Sequence, residues 1–373
     1  LTFAMAFLLS CSSNGYALPT QPSSPQDANQ QLPPPDTDNK SSNIKIALLL
    51  DTSGSMSGLL EQAKSQLWKI VNELSMAKKG NQNANLEIAL YQYGNDGLNS
   101  KEGYIEKVLP LTNDLDVISE KLFALSTNGG EEYCGHVIKT ATNQLDWETD
   151  SQGLNLIFIA GNESFNQGRI DYKESCKSAI NKGISINTIF CGDYESGIST
   201  NWLSGAQLTE GSYMNIDMNQ KTVYVETPYD SQINDLNQKL NNTYIAYGKL
   251  GIHKKEQQDI QDNNSSFYGL ANSVSRTISK SSHVYYNGTW DLVDAQKDEN
   301  FKIEEVDPKT LPNEMQNLTT EQKITYVKNK GTERQKIQAK ISELSTKRNI
   351  YIKNNESNLS ANSLDKAMLQ AIK

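Results

Sequence analysis

The sequence predicts an α/β protein: a doubly wound, mostly parallel sheet flanked by helices, followed by a mainly helical C-terminal region. Three observations carry this. Ile44–Leu50 is an apolar run of strand length that spills directly into polar residues, as a strand buried on both faces of a parallel sheet does. Similar runs then alternate with helical patterns as far as Asp217, and right-handed crossovers wind such an alternation into a layered sheet. From about Gly248 the chain becomes rich in Gln, Asn, Ser and Lys, and its apolar residues thin to helical spacings.

The elements follow in order. Leu59, Leu60, Ala63, Leu67, Ile70, Val71 and Leu74 recur at helical spacing and predict a helix over Gly58–Met76. Strands are expected at Leu86–Tyr93 and Tyr104–Leu109, joined by a turn-rich segment short enough for a hairpin. Asp114–Leu125 reads as a helix capped by Asp114, and Cys134–Leu145 as another. Leu154–Ala160 is the next buried strand, Asp171–Lys182 a helix, Ser185–Cys191 a strand and Gly192–Asn201 a loop. Trp202–Leu208 reads as a short helix, Ser212–Asp217 as the last strand and Ser231–Tyr247 as the closing helix. Further on, Ser265–His283 fits a helix, and Pro308 and Pro312 mark a break. Thr320–Lys353 carries Ile337, Ile341 and Leu344 on a narrow stripe. Such a stripe suits packing on its own domain, or self-association through 320–353 as a coiled-coil seam.

Chemistry concentrates after the first strand. Asp51, Ser53 and Ser55 follow it on a turn relaxed by Gly54, at the end of the sheet where ligands bind in such folds. The donors are one carboxylate and two hydroxyls, without His or Cys. That set suits a hard cation, Mg²⁺ or Mn²⁺, better than zinc.

This D-x-S-x-S pattern after a buried strand resembles the metal-ion-dependent adhesion site of von Willebrand factor A domains, also called integrin I domains, and the later elements arrive in the matching order from about Asn43 to Asp217. The resemblance implies an antiparallel edge strand at Tyr104–Leu109 and a further metal hydroxyl from Thr127. It also implies an ion left with one open position for an Asp or Glu carboxylate of a protein partner. The sequence departs from the family after Leu154–Ala160, where an acid and a glycine are usual and Gly161-Asn162-Glu163 stands instead. Glu163 is the best substitute ligand, with Asn162 the other. Glu131 and Glu132 read as charges complementing the amino terminus of the next helix.

An enzyme reading finds little support. There is no G-x-S-x-G, P-loop or H-E-x-x-H, and His136, His253 and His283 are scattered. A net charge of -9 argues against nucleic acid as a partner.

Ala4–Leu9 followed by Leu8-Leu9-Ser10-Cys11 resembles a bacterial lipoprotein signal, which implies lipidation at Cys11. The expected organisation is a signal region (1–16), a Pro/Gln/Ser-rich disordered tether (17–42), the A-like domain (43–248) and a polar helical region (249–373). The expected location is the bacterial cell envelope, periplasmic or at the outer-membrane surface, held by the lipid anchor. In an exported protein the remaining cysteines suggest one disulfide, with Cys176–Cys191 the first pairing and Cys134 with either partner also open. The function expected is a tethered, metal-dependent protein-binding module. The alternative is a structural envelope protein whose helical tail mediates assembly, and a metal-dependent hydrolase stands behind both.

Overall fold

The computed structural model describes residues 43–74, 78–79, 82–149, 153–216 and 225–355. All belong to the compact unit Ser41–Lys373. The signal region, Cys11 and the tether lie outside the described residues. Among the described residues no helix is long and apolar enough to cross a membrane.

The apolar run after Ser42 becomes β1 (Asn43–Asp51), and it sits in the middle of a six-stranded sheet. A small hairpin, β2 (Lys78–Lys79) and β3 (Gln82–Asn83), precedes β4 (Asn85–Tyr93). The strands β5 (Ile105–Thr112), β6 (Leu154–Gly161), β7 (Ile184–Phe190) and β8 (Tyr213–Asn215) follow. The sheet order is β5-β4-β1-β6-β7-β8. Every neighbouring pair is parallel except β4 with β5, the antiparallel edge that the family resemblance implied. The chain runs from β1 to one side of the sheet and returns through β6 on the other. The switch point therefore lies at the carboxyl ends of β1 and β6, where a crevice opens in doubly wound sheets.

Alternation along β1 splits the core. Ile46, Leu48 and Leu50 pack on one face against α1 (Leu60–Leu74) and α2 (Leu115–Ala124), and Ala47 and Leu49 on the other against α3 (Cys134–Gln144) and α4 (Tyr172–Ile180). Asp114 caps α2 as expected, its carboxylate accepting the N–H groups of Asp116 and Val117. The segment expected as a loop at Gly192–Asn201 contains α5 (Tyr194–Ser199). Asp193 caps this helix from the N–H of Ser196, a start signal placed directly after a glycine. Next come α6 (Trp202–Gln207) and α7 (Asp230–Asn241).

The expected disulfide is absent. Cys134, Cys176 and Cys191 are buried free thiols. The physical reason is the sheet itself: Cys191 packs in the core on the β1/α1 face, and Cys176 in the core on the α3/α4 face.

The polar C-terminal stretch is more ordered than its composition suggests. It forms α8 (Gly248–Phe267), α9 (Leu270–Lys280), α10 (Leu292–Ala295), α11 (Asn313–Gln316) and the long α12 (Thr320–Asn355). Val274, Ile278, Tyr285, Trp290, Ile341 and Leu344 belong to the same core as Ile46 and Leu48. The apolar stripe of α12 is thus used against its own domain. The polar residues are buried as a paired network: Arg276, 1% exposed, reaches Asp116 of α2 at 2.8 Å and Asp262 at 2.5 Å. Lys280 adds 2.6 Å to Asp262, and the Tyr285 hydroxyl donates to Asp116 at 2.6 Å. Arg334 of α12 likewise holds Asp291 at 2.7 Å and donates to the Thr243 carbonyl. Burying such charges is tolerable only because each is paired and hydrogen-bonded.

Candidate functional site

The carboxyl end of β1 is fixed from both sides. The Thr52 N–H donates to the carbonyl of Tyr93 at 2.9 Å, and the Thr52 carbonyl accepts the N–H of Asn128 at 3.0 Å. Between these ties the chain makes one turn of 3-10 helix, Gly54–Met56, anchored by the buried Met56. Ser53 and Ser55 are thereby brought together, their hydroxyls 2.8 Å apart. The Asp51 carboxylate folds back over the turn and accepts the Ser53 N–H at 2.8 Å through Oδ1.

The expected residues divide. Asp51, Ser53 and Ser55 converge. Thr127 is close by on the adjoining loop, but its hydroxyl pairs with that of Ser57 at 3.0 Å. After β6 it is Asn162 that meets the turn: its Oδ1 accepts from the Ser55 hydroxyl at 2.9 Å and its Nδ2 donates to the Ser55 carbonyl at 3.1 Å. Glu163 is half-buried, and its carbonyl accepts the indole N–H of Trp202 at 2.7 Å. Its charge is felt at Glu132. The position of Gly161 has no room for a side chain: a Cβ there lies 2.5 Å from the Tyr93 hydroxyl and 3.0 Å from Asp51 Oδ2.

Glu132 is the residue that sequence reasoning misplaced. It is 6% exposed, and its Cγ lies beside Gly94 together with Asp51 Oδ1 and the Ser53 Cβ. Gly94 makes room for this approach. With φ of 77° it turns the end of β4 past the site, and a Cβ on it lies 2.9 Å from Asp51 Oδ1 and 3.0 Å from Glu132 Cγ. A helix-terminus acid and a site acid look the same in sequence, and only the path of the Gly94 loop distinguishes them.

The electrostatics are those of a site short of positive charge. Asp51 is fully buried, and its Oδ2 has no hydrogen-bond partner among the described residues. Burial pushes its carboxyl up from 3.8 to about 7, against the Ser53 hydrogen bonds and with help from the charge of Glu132. Burial raises Glu132 too, reinforced by Glu163 and Glu131. Among the described residues no Lys or Arg forms an ion pair with either acid. No three His, Cys, Asp or Glu side chains form a metal cluster among those residues either. The donor set is instead hydroxyls plus carboxylates, and an orphaned buried oxygen beside two hydroxyls fits a hard divalent cation. His136 stands against Gly103, and His283 bonds the Ala84 carbonyl at 2.9 Å.

The family model matched below agrees with the architecture. Among solved structures, the conserved hypothetical protein BatB from Bacteroides thetaiotaomicron is 18% identical, covering 47% of this chain and 90% of that one, with a TM-score of 0.34. An aerotolerance-related membrane protein from Bacteroides fragilis is 17% identical over 47% of this chain and 92% of that one, with a TM-score of 0.32. Proximal thread matrix protein 1 from the mussel byssus, in a structure with a zinc-occupied MIDAS motif, is 12% identical over 49% of this chain and 43% of that one, with a TM-score of 0.36. No curated protein matches. The family model for the von Willebrand factor type A domain matches residues 45–239, more than half of the sequence and the span from β1 into α7. The chain belongs to the von Willebrand factor type A domain family.

Proposed function

We propose that the protein is a membrane-tethered, divalent-metal-dependent protein-binding module, and that the observation carrying this is the buried, unpartnered Asp51 oxygen beside the paired hydroxyls of Ser53 and Ser55. Asp51, Ser53 and Ser55 hold Mg²⁺ or Mn²⁺, with Thr127 and Glu163 in the outer part of the site. When bound, the ion supplies an electrophilic position for an Asp or Glu carboxylate of a protein partner. The chain's own residues orient it: the Ser53 N–H donates to Asp51, and Asn162 clamps Ser55 from the end of β6. Domains of this family commonly mediate protein–protein interaction, and the output proposed here is accordingly binding and not turnover. Lipidation at Cys11, with 17–42 as the spacer, places the domain at the bacterial envelope surface.

Calorimetric titration with Mg²⁺ and Mn²⁺ tests the metal step. Heat in the wild type that is lost in a Ser53→Ala/Ser55→Ala variant supports it, and no heat in either refutes it. Capture of a partner from envelope extract that EDTA abolishes tests the binding step.

A further inference from the structure

The family's usual acid after β6 is missing, and three residues here are placed to supply its charge. Gly161 is excluded by the space its Cβ needs, which the Tyr93 hydroxyl and Asp51 already fill. Asn162 is neutral, and its amide is spent on Ser55 at both ends. Glu163 accepts the Trp202 indole N–H through its main chain, and among the described residues its side chain shares no hydrogen bond with the turn. Glu132 differs from all three. It comes from the opposite loop, ahead of α3, is almost fully buried, and its Cγ borders the same point beside Gly94 as the Ser53 Cβ.

The missing Cβ of Gly94 marks where the two acidic side chains come together. One point in space borders Asp51 Oδ1, Glu132 Cγ and Ser53 Cβ at 2.9, 3.0 and 3.4 Å. Two acidic side chains thus converge beside Ser53, and the other oxygen of Asp51 has no hydrogen-bond partner among the described residues. Like charges buried this close are costly unless a cation joins them. A divalent ion between them balances both charges, whereas Asp51 alone leaves it half-neutralised.

We propose that Glu132 is the second charged ligand of the metal site, taking over from the α3 side of the crevice the charge that no residue after β6 provides. This rests on the metal-binding reading above and names the residue that completes it. The inner set is then Asp51, Ser53, Ser55 and Glu132, drawn from the loops after β1 and before α3. Gly94 keeps the passage between them clear.

The test is direct Mn²⁺ binding, followed by calorimetry and by the Mn²⁺ spin-resonance signal, on the full chain and on Glu132→Gln, Glu131→Gln and Glu163→Gln. Glu132→Gln is expected to weaken Mn²⁺ binding by about tenfold or more, while the other two stay within about twofold of wild type. Glu132→Asp, which keeps the charge on a shorter arm, is expected to fall between and serves as the readout should the Gln variant misfold. Wild-type affinity in Glu132→Gln, or a loss confined to Glu163→Gln, overturns this assignment and leaves the metal site standing. Absence of Mn²⁺ binding by the wild type overturns both.

Discussion

Substituting Asp51→Asn is expected to stabilise the metal-free protein at alkaline pH while abolishing its response to Mg²⁺. The Asp51 carboxyl is raised from 3.8 to about 7, chiefly by burial. A carboxyl raised on folding leaves stability intact below its unfolded value and drains it as pH climbs toward the folded value, because the native state must release a proton it prefers to keep. A shift of that size corresponds to about 4 kcal/mol once both states are ionised. Much of that appears between about pH 5 and about pH 8, so the advantage of Asp51→Asn over wild type is expected to widen by ~2–3 kcal/mol across that interval. The amide oxygen can still accept the Ser53 N–H, so the turn survives the change. Urea unfolding in EDTA at the two pH values measures the gap directly. Saturating Mg²⁺ should then raise wild-type stability by ~2–3 kcal/mol at about a hundred times its Kd, and leave Asp51→Asn unmoved. An unchanged gap between the two pH values would refute the claim that an unpaired charge is buried at the end of β1.

Other consequences follow from the packing. Arg276→Met leaves Asp116 buried without its cation and Asp262 with Lys280 alone, and is expected to cost about 3–5 kcal/mol in urea unfolding. Adding Asp116→Asn to it should recover part of the loss, since the two belong to one network. Gly161→Ala drives a Cβ to 2.5 Å from the Tyr93 hydroxyl and is expected to destabilise by about 1–3 kcal/mol. In a Tyr93→Phe background the penalty should shrink, and an equal penalty in both backgrounds counts against the clash. Burial pushes the Cys134, Cys176 and Cys191 thiols up, so none of the three should react with a thiol reagent in the native protein. All three should react once it is unfolded without reductant, and a reaction that needs reductant would mean a disulfide exists.

The sheet was legible because its signals are local. An apolar run bounded by polar residues is a buried strand wherever it lies, and a cap such as Asp114 marks a helix start within three residues. Asp51, Ser53 and Ser55 were legible for the same reason, since a five-residue turn brings its own donors together. Three features depended on contacts between residues far apart in the chain. The buried ion pairs of the polar helices after Gly248 were not legible, because each half of such a pair reads as a surface charge until its partner is known; Arg276 and Asp116 are 160 positions apart. The thiols of Cys176 and Cys191 are near in sequence and kept apart by the sheet between them. Glu132 looked like a helix-terminus charge, and it is the fold of the loop past Gly94 that brings its side chain beside Asp51. Periodicity and turn chemistry along the chain therefore determined the architecture and half of the site. The other half was decided in three dimensions, because which acid faces a buried carboxylate depends on how loops from different strands meet at one end of the sheet.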